Sequence, residues 1–224
     1  VWKAGRKKIG GNMNEDLLRF DKEKTFVFID LETENLCLSF CKNLPWQVGM
    51  IKAKGNEAID SKDFYVKWDR EINVSKEAAR ITGFSQTKYN KLAIHISEIF
   101  PTIEKWLDEA DHIVGHNVLN FDLHLIIEMY RMMGKSHDHL APKVIDTLSL
   151  ARGVKMELPY KKSEDLLAYQ YRMSNKRKKG MRNTLKALGE QFGIQHDYEN
   201  LHDAIVDLQL NLKVWNQLKY MIEI

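Results

Sequence analysis

The residues best equipped for chemistry are acids set in stretches that are otherwise apolar. The first two lie at the end of the run TFVFIDL (Thr25–Leu31) and just beyond it, as Asp30 and Glu32. A short β-branched and aromatic run is the signature of a buried strand, and strand side chains alternate, so Asp30 and Glu32 point to one side. Two carboxylates near the end of an apolar strand are costly unless something compensates them. A divalent cation that favours hard oxygen ligands, Mg²⁺ or Mn²⁺, does so and keeps both groups ionised. A strand end whose acids simply face water is the plain alternative for this pair.

The third acid, Asp122, closes the stretch Gly115-His116-Asn117-Val118-Leu119-Asn120-Phe121-Asp122, which follows the apolar segment HIVG. It sits where a helix is expected to begin, and the helix dipole favours an acid there. Junctions from strand to helix are also where α/β proteins build their sites. The fourth, Asp207, interrupts the apolar series Ala204, Ile205, Val206, Leu208, Leu210 and Leu212 of an expected C-terminal helix. His202 precedes Asp207 by about 140° around an ideal helix, so the two share a helical face poorly. That places His202 before the helix or in its first turn, where its imidazole can swing toward a metal-bound water. The bland reading of such a histidine is an exposed or capping residue.

The frame that must position these side chains reads as one α/β domain. Strands are expected at Thr25–Leu31, Gln47–Ala53, Phe64–Trp68, His112–Gly115 and Val144–Ile145. Helical spacing covers Ser75–Ile81, Ile94–Asp108, Phe121–Met133, Asp146–Arg152 and Asn183–Phe192, and a last helix runs from about Asp203 to Met221. Residues 1–22 read as a basic, flexible arm, residues 23–224 as the domain, and about 161–182 as a basic insertion, either a loop or a short mobile helix. No internal repeats are present.

Composition excludes several classes. No apolar run approaches the roughly 20 residues that span a bilayer, and Val1–Asn14 has basic residues without an apolar segment after them. The expectation is a soluble, intracellular (cytoplasmic) protein with no membrane partner. Cys37 and Cys41 are too few for a disulfide framework or a zinc site. Asn73-Val74-Ser75 matches a glycosylation sequon by chance, and Gly134-Lys135-Ser136 fails as a phosphate loop because Met129 stands where a glycine is needed.

The charge is unevenly spread. Val1–Met13 holds Lys3, Arg6, Lys7 and Lys8 and no acid; Lys161–Arg182 holds eight basic residues, among them Lys176, Arg177, Lys178, Lys179 and Arg182, against Glu164 and Asp165. Taking these 12 basic and 2 acidic residues out of the totals of 34 and 31 leaves 22 basic against 29 acidic. An acidic body with two basic patches suits a polyanion gripped locally.

In order and spacing, the motifs resemble the DEDD exonuclease superfamily. The match is to its histidine-containing DEDDh branch, which includes the proofreading epsilon subunit of bacterial DNA polymerase III, RNase T and oligoribonuclease. The family's D-x-E-T is met by Asp30, Glu32 and Thr33. Its H-N-x-x-F-D is met by His116, Asn117, Phe121 and Asp122 with one extra residue inside, and its H-x-A-x-x-D by His202, Ala204 and Asp207. Fainter similarities are Ala78–Ser85, Asp146-Thr147-Leu148 and the helix before the third motif, so the likeness covers about Thr25 to Leu218.

The resemblance implies a ribonuclease H-like fold, a mixed five-stranded sheet flanked by helices. It also implies a 3′→5′ exonuclease that releases nucleoside 5′-monophosphates with two Mg²⁺ (or Mn²⁺). Asp30 would bridge both ions, Glu32 and Asp207 would hold the one nearer the attacking water, and Asp122 would complete the set through water. His202 would act as general base. Thr33 would offer its backbone N–H to the terminal 3′-hydroxyl, with Leu36 and Phe121 against the terminal bases and His116 and Asn117 also near the substrate. For Phe121, core packing competes with that role.

Departures are Glu34-Asn35-Leu36 where the family often has Thr-Gly, and the long basic insertion, which suits phosphate-backbone contacts or the docking of a polymerase or other replication protein. The basic segments favour a longer polymer, so the 3′ end of single-stranded DNA, or a mismatched 3′ end, is expected over RNA. An RNA-trimming exoribonuclease, a non-cleaving nucleic-acid-binding module and an endonuclease or polynucleotidyl transferase of the same fold class are the alternatives. That all five catalytic positions are filled speaks against the non-cleaving module.

Overall fold

A computed structural model describes residues 17–19, 22–38 and 43–224. Six strands, β1 (Thr25–Thr33), β2 (Pro45–Lys54), β3 (Glu57–Lys67), β4 (Ile94–His95), β5 (His112–Gly115) and β6 (Val144–Asp146), form one mixed sheet in the order β4-β3-β2-β1-β5-β6. β2 pairs antiparallel with both β1 and β3, whereas β1–β5, β5–β6 and β3–β4 are parallel. The helices are α1 (Lys76–Thr82), α2 (Gln86–Leu92), α3 (Ile96–Glu109), α4 (Asp122–Met132), α5 (Thr147–Lys155), α6 (Leu166–Ser174), α7 (Leu185–Gln191) and α8 (Ala204–Leu218).

Strand β1 lies in the centre and is buried on both faces, which is why it reads as a continuous apolar run rather than an alternating one. Val27, Ile29 and Leu31 enter one core with Ile103, Leu107, Leu123 and Ile126 of α3 and α4. Phe26 and Phe28 enter the other core with Leu208, Leu212 and Trp215 of α8. Asp30 and Glu32 share the parity of Phe26 and Phe28, so they belong to the α8 face of the sheet.

The sheet has six strands, not the expected five. Ile94 fits the apolar spacing of the helix that follows, but His95 accepts the Ser97 N–H at its N-terminus and holds residues 94–95 extended against Val66 and Lys67. Helix α2 has no sequence counterpart because Tyr89 is its only buried residue, leaving no apolar period to read. The outer half of β3, from Glu57 to Asp60, is exposed throughout, Ile59 included, so it too offers no buried period to read.

The expected basic insertion is, over α6, part of the fold. Tyr169 and Met173 are fully buried, and the Gln170 amide accepts from Asp146 N at 2.6 Å and donates to the Val144 carbonyl at 2.9 Å. That single side chain pairs the outer edge of β6 and so protects an edge strand. Residues 1–16 of the expected arm lie outside the described residues, as does Cys41. Leu17 and Leu18 are buried, so the core begins before residue 23. Among the described residues, no helix is long and apolar enough to cross a membrane.

Candidate active site

Three elements deliver the acids. Asp30 and Glu32 come from β1, facing α8. Asp207 comes from the first turn of α8, whose N-terminus is capped by Asp203 through the N–H groups of Ile205 and Val206. The close approach of α8 to the sheet depends on Gly49, the β2 partner of Asp30: a Cβ there would stand 2.7 Å from the Cβ of Ala204. Asp30, Glu32 and Asp207 each offer a carboxylate oxygen within 4.8 Å of the others.

Asp122 arrives from the opposite face, at the start of α4. It is buried, and its Oδ1 accepts the Leu31 N–H at 3.0 Å, between the two acids of β1. One oxygen is thus held by the backbone, and Asp122 stands beside the three-acid cluster rather than within it. His202 is exposed, just before α8, in a left-handed conformation (φ 80°) that histidine tolerates better than most residues. Its backbone N–H donates to Asp207 Oδ2 at 3.3 Å.

Burial and mutual repulsion work against ionisation of the acids. Burial, followed by repulsion from Glu32, Asp122 and Asp207, holds Asp30 well above the ordinary carboxylate range. Burial and then Asp207 push Glu32 up to about 8, and burial pushes Asp122 to about 7. Asp207 is raised by burial, with the His202 N–H working the other way. Acids that repel one another in this way, and offer only hard oxygen donors, fit a divalent cation.

The remaining expected site residues divide. Thr33 is buried and its hydroxyl donates to the Asn35 carbonyl at 2.6 Å; Leu36 is exposed; Phe121 is half-buried against the α3/α4 core. His116 does not present a ring nitrogen to the site. Nε2 donates to the Asn183 carbonyl at 2.9 Å, Nδ1 lies 3.0 Å from Thr147 Oγ1, and burial lowers its pKa to about 4, so it stays neutral and braces the end of β5. Asn117 (φ 70°) turns the chain toward Asp122. Asp146, fully buried, fixes that turn by accepting from the N–H groups of Asn117, Leu119, Leu148 and Ser149.

Two contributors carried no readable signal. Glu34 is buried beyond the strand end, where Arg70 and the N–H groups of Leu44 and Asn73 bind its carboxylate. Burial works to raise its pKa, but these partners outweigh it and hold the group below the ordinary range. It therefore locks the turn after Thr33. Gln47, opposite Glu32 on β2, is buried and donates to Asp63 at 2.8 Å. A cavity of about 500 Å³ opens here, lined by Trp46, Gln47, Tyr65, Lys88, His202 and Asp203 among others.

The sequence profile of the exonuclease family RNase_T matches residues 27–215. No curated protein sequence matches significantly. Among solved structures, E. coli exonuclease I in complex with a dT13 oligonucleotide is similar at 19% identity and a TM-score of 0.68, over 88% of this chain and 41% of that one. The same enzyme with a dA16 oligonucleotide gives a TM-score of 0.69 at 19% identity, over 88% and 41%. An exonuclease I complex with SSB-Ct gives 0.68 at 19%, again over 88% and 41%. The chain thus spans about two fifths of the length of these structural relatives.

Proposed function

Because the chain belongs to the RNase_T exonuclease family of the DEDD superfamily, we propose that it is a divalent-metal-dependent 3′→5′ exonuclease acting on single-stranded DNA or mismatched 3′ ends. The observation that carries this reading is the convergence of Asp30, Glu32 and Asp207, with Asp122 alongside and His202 at the rim. Asp30, Glu32 and Asp207 would hold two Mg²⁺ or Mn²⁺ ions, with Asp122 completing the set. Bound there, the ions would neutralise the acids, acidify water and stabilise the departing 3′-oxygen.

The protein's own groups do the rest. Water attacks the terminal phosphorus, the P–O3′ bond breaks, and a nucleoside 5′-monophosphate leaves while the shortened strand keeps a new 3′-hydroxyl. His202, exposed and free to turn on its own χ angles, accepts the proton of the attacking water. Thr33 offers its N–H to the terminal 3′-hydroxyl, held in place by the Glu34 lock behind it. Leu36 is free to stack on a base, whereas part of the Phe121 ring is committed to the core. The exposed run Lys176–Lys179 with Arg182 supplies charge for the phosphate backbone. The preference for DNA draws on that charge and on the oligodeoxynucleotide complexes of the exonuclease I relatives.

The test is incubation with 5′-labelled single-stranded DNA and RNA of one sequence, in Mg²⁺, Mn²⁺ or EDTA. A ladder descending from the 3′ end, absent in EDTA and in Asp207→Asn, is expected, with DNA the faster substrate. Binding without cleavage under every metal would refute the enzyme, and faster decay of RNA would refute the substrate.

A further inference from the structure

Beside the β5–α4 loop lies a second cavity, of about 410 Å³, whose walls include Asn117, Leu148, Arg152, Arg177, Lys178 and Asn183. Its chemistry is unusual for a structural pocket. Arg152 is 7% exposed, and its Nη1 donates to the Ser174 carbonyl, which also accepts Arg177 Nη1 at 2.7 Å. Two guanidinium groups therefore converge on one carbonyl oxygen. Neither has an ion pair among the described residues, and the buried Nε of Arg152 has no hydrogen-bond partner there.

The opposing charge that acts on Arg152 is Asp146, whose oxygens already accept four backbone N–H groups. Burial and the neighbouring Arg177 accordingly lower the Arg152 pKa. The Asn183 amide, also buried, leaves its Oδ1 without a partner among the described residues. A buried, unpaired guanidinium beside two further cations is costly in an empty pocket and well suited to a bound oxyanion, which the planar fork grips in two directions.

We infer that this pocket is a phosphodiester subsite, in which Arg152, Arg177 and Lys178 grip one backbone phosphate of the strand whose 3′ end lies at the acids. The identity of that strand rests on the exonuclease reading. Position supports it: Asn117 forms part of the wall, and five residues of extended chain reach at most about 17 Å, so Asp122 is within a few nucleotides. Leu148 and Met181 add apolar wall against which a sugar can lie. The subsite differs from a diffuse basic surface in having a buried, pre-aimed member. Arg152 is held by its own helix α5 and by the carbonyl that ends α6.

Binding of a 5′-fluorescein oligothymidylate, read by anisotropy in EDTA, tests the subsite without turnover. Arg177→Gln/Lys178→Gln changes exposed side chains only and is expected to weaken binding at least tenfold at low salt. Its plot of log K against log[salt] should be shallower by about 0.7, the share of one phosphate contact on a single strand. Arg152→Lys keeps the charge but loses the fork, and it should also bind more weakly with its melting temperature kept. Lys76→Gln/Lys91→Gln, on α1 and α2, is the charge-matched control and should bind as the wild type does. Wild-type binding by Arg177→Gln/Lys178→Gln, or an equal loss in the control, would overturn the subsite. Inorganic phosphate occupying the pocket as tightly as the oligonucleotide would overturn its assignment to a strand. Because cleavage is scored separately, a chain that binds through this pocket and never cuts would refute the exonuclease and leave the subsite standing.

Discussion

His202 stands apart from the acids in how it is held. They are fixed by strand, helix and buried hydrogen bonds, while the histidine sits in a left-handed turn with its side chain exposed and only its N–H tied to Asp207. That arrangement suits a group that must meet water, take a proton and release it. His202→Ala is expected to lower kcat by roughly 10²–10⁴ while leaving KM near the wild-type value, because the general-base role proposed for it would act in the transition state and not in binding. Steady-state kinetics on one oligonucleotide decide it; unchanged kcat would remove the assignment. Glu34 shows the opposite case, a charged residue whose whole value is structural. With Arg70 and two backbone N–H groups it closes the turn after Thr33 and keeps the end of β1 in one conformation.

Between elements, the decisive contact is α8 on β2. Gly49 pairs with Asp30 across the sheet, and the absence of its side chain lets Ala204 approach, which brings Asp207 over the two acids of β1. Gly49→Ala is therefore expected to push α8 outward, to cost about 1–3 kcal/mol of stability, and to reduce turnover as Asp207 moves away. Adding Ala204→Gly removes the opposing methyl group and should restore much of both. Thermal melting and kcat on the single and double variants check this; a double variant no better than Gly49→Ala would show that the contact does not set the site. Helix α6 makes a similar point at the other end of the sheet, where Gln170 pairs the edge of β6 as a neighbouring strand would.

For the whole molecule, the acid cluster ties stability to pH and to metal. Glu32 is raised from 4.5 to about 8 and Asp122 from 3.8 to about 7, so the fold holds their protons more tightly than the unfolded chain does. Their contribution is fully favourable only below the unfolded values and is lost as pH rises through about 7 and about 8. His116 acts oppositely but at lower pH: lowered from 6.5 to about 4, it penalises the fold only as pH falls through that window. In EDTA, the melting temperature should therefore fall from neutral to mildly alkaline pH, and the rise produced by Mg²⁺ or Mn²⁺ should grow over the same range. A melting temperature that is flat from neutral to alkaline pH, or a metal effect independent of pH, would argue against uncompensated acids at the core of the site.

The sequence by itself determined the central strand and the helices with a strong apolar period, and it singled out Asp30, Glu32 and Asp207, which the fold brings together. Those signals are local: TFVFIDL announces a buried strand, and Asp207 stands out because it breaks an apolar helix. The D-x-E-T and H-x-A-x-x-D spacings carried the family for the same reason. Tertiary structure alone decided what depends on partners distant in the chain. The sixth strand exists because two residues find β3, and α2 is specified by caps and one tyrosine rather than by periodicity. It packed the middle of the stretch expected as a loop or a short mobile helix into α6, because Gln170 found the open edge of β6. It tied both ring nitrogens of His116 to groups far along the chain, which makes this residue a brace beside the pocket that it lines. It also brought Arg152 and Arg177 to one carbonyl, a convergence that no spacing along the sequence reports.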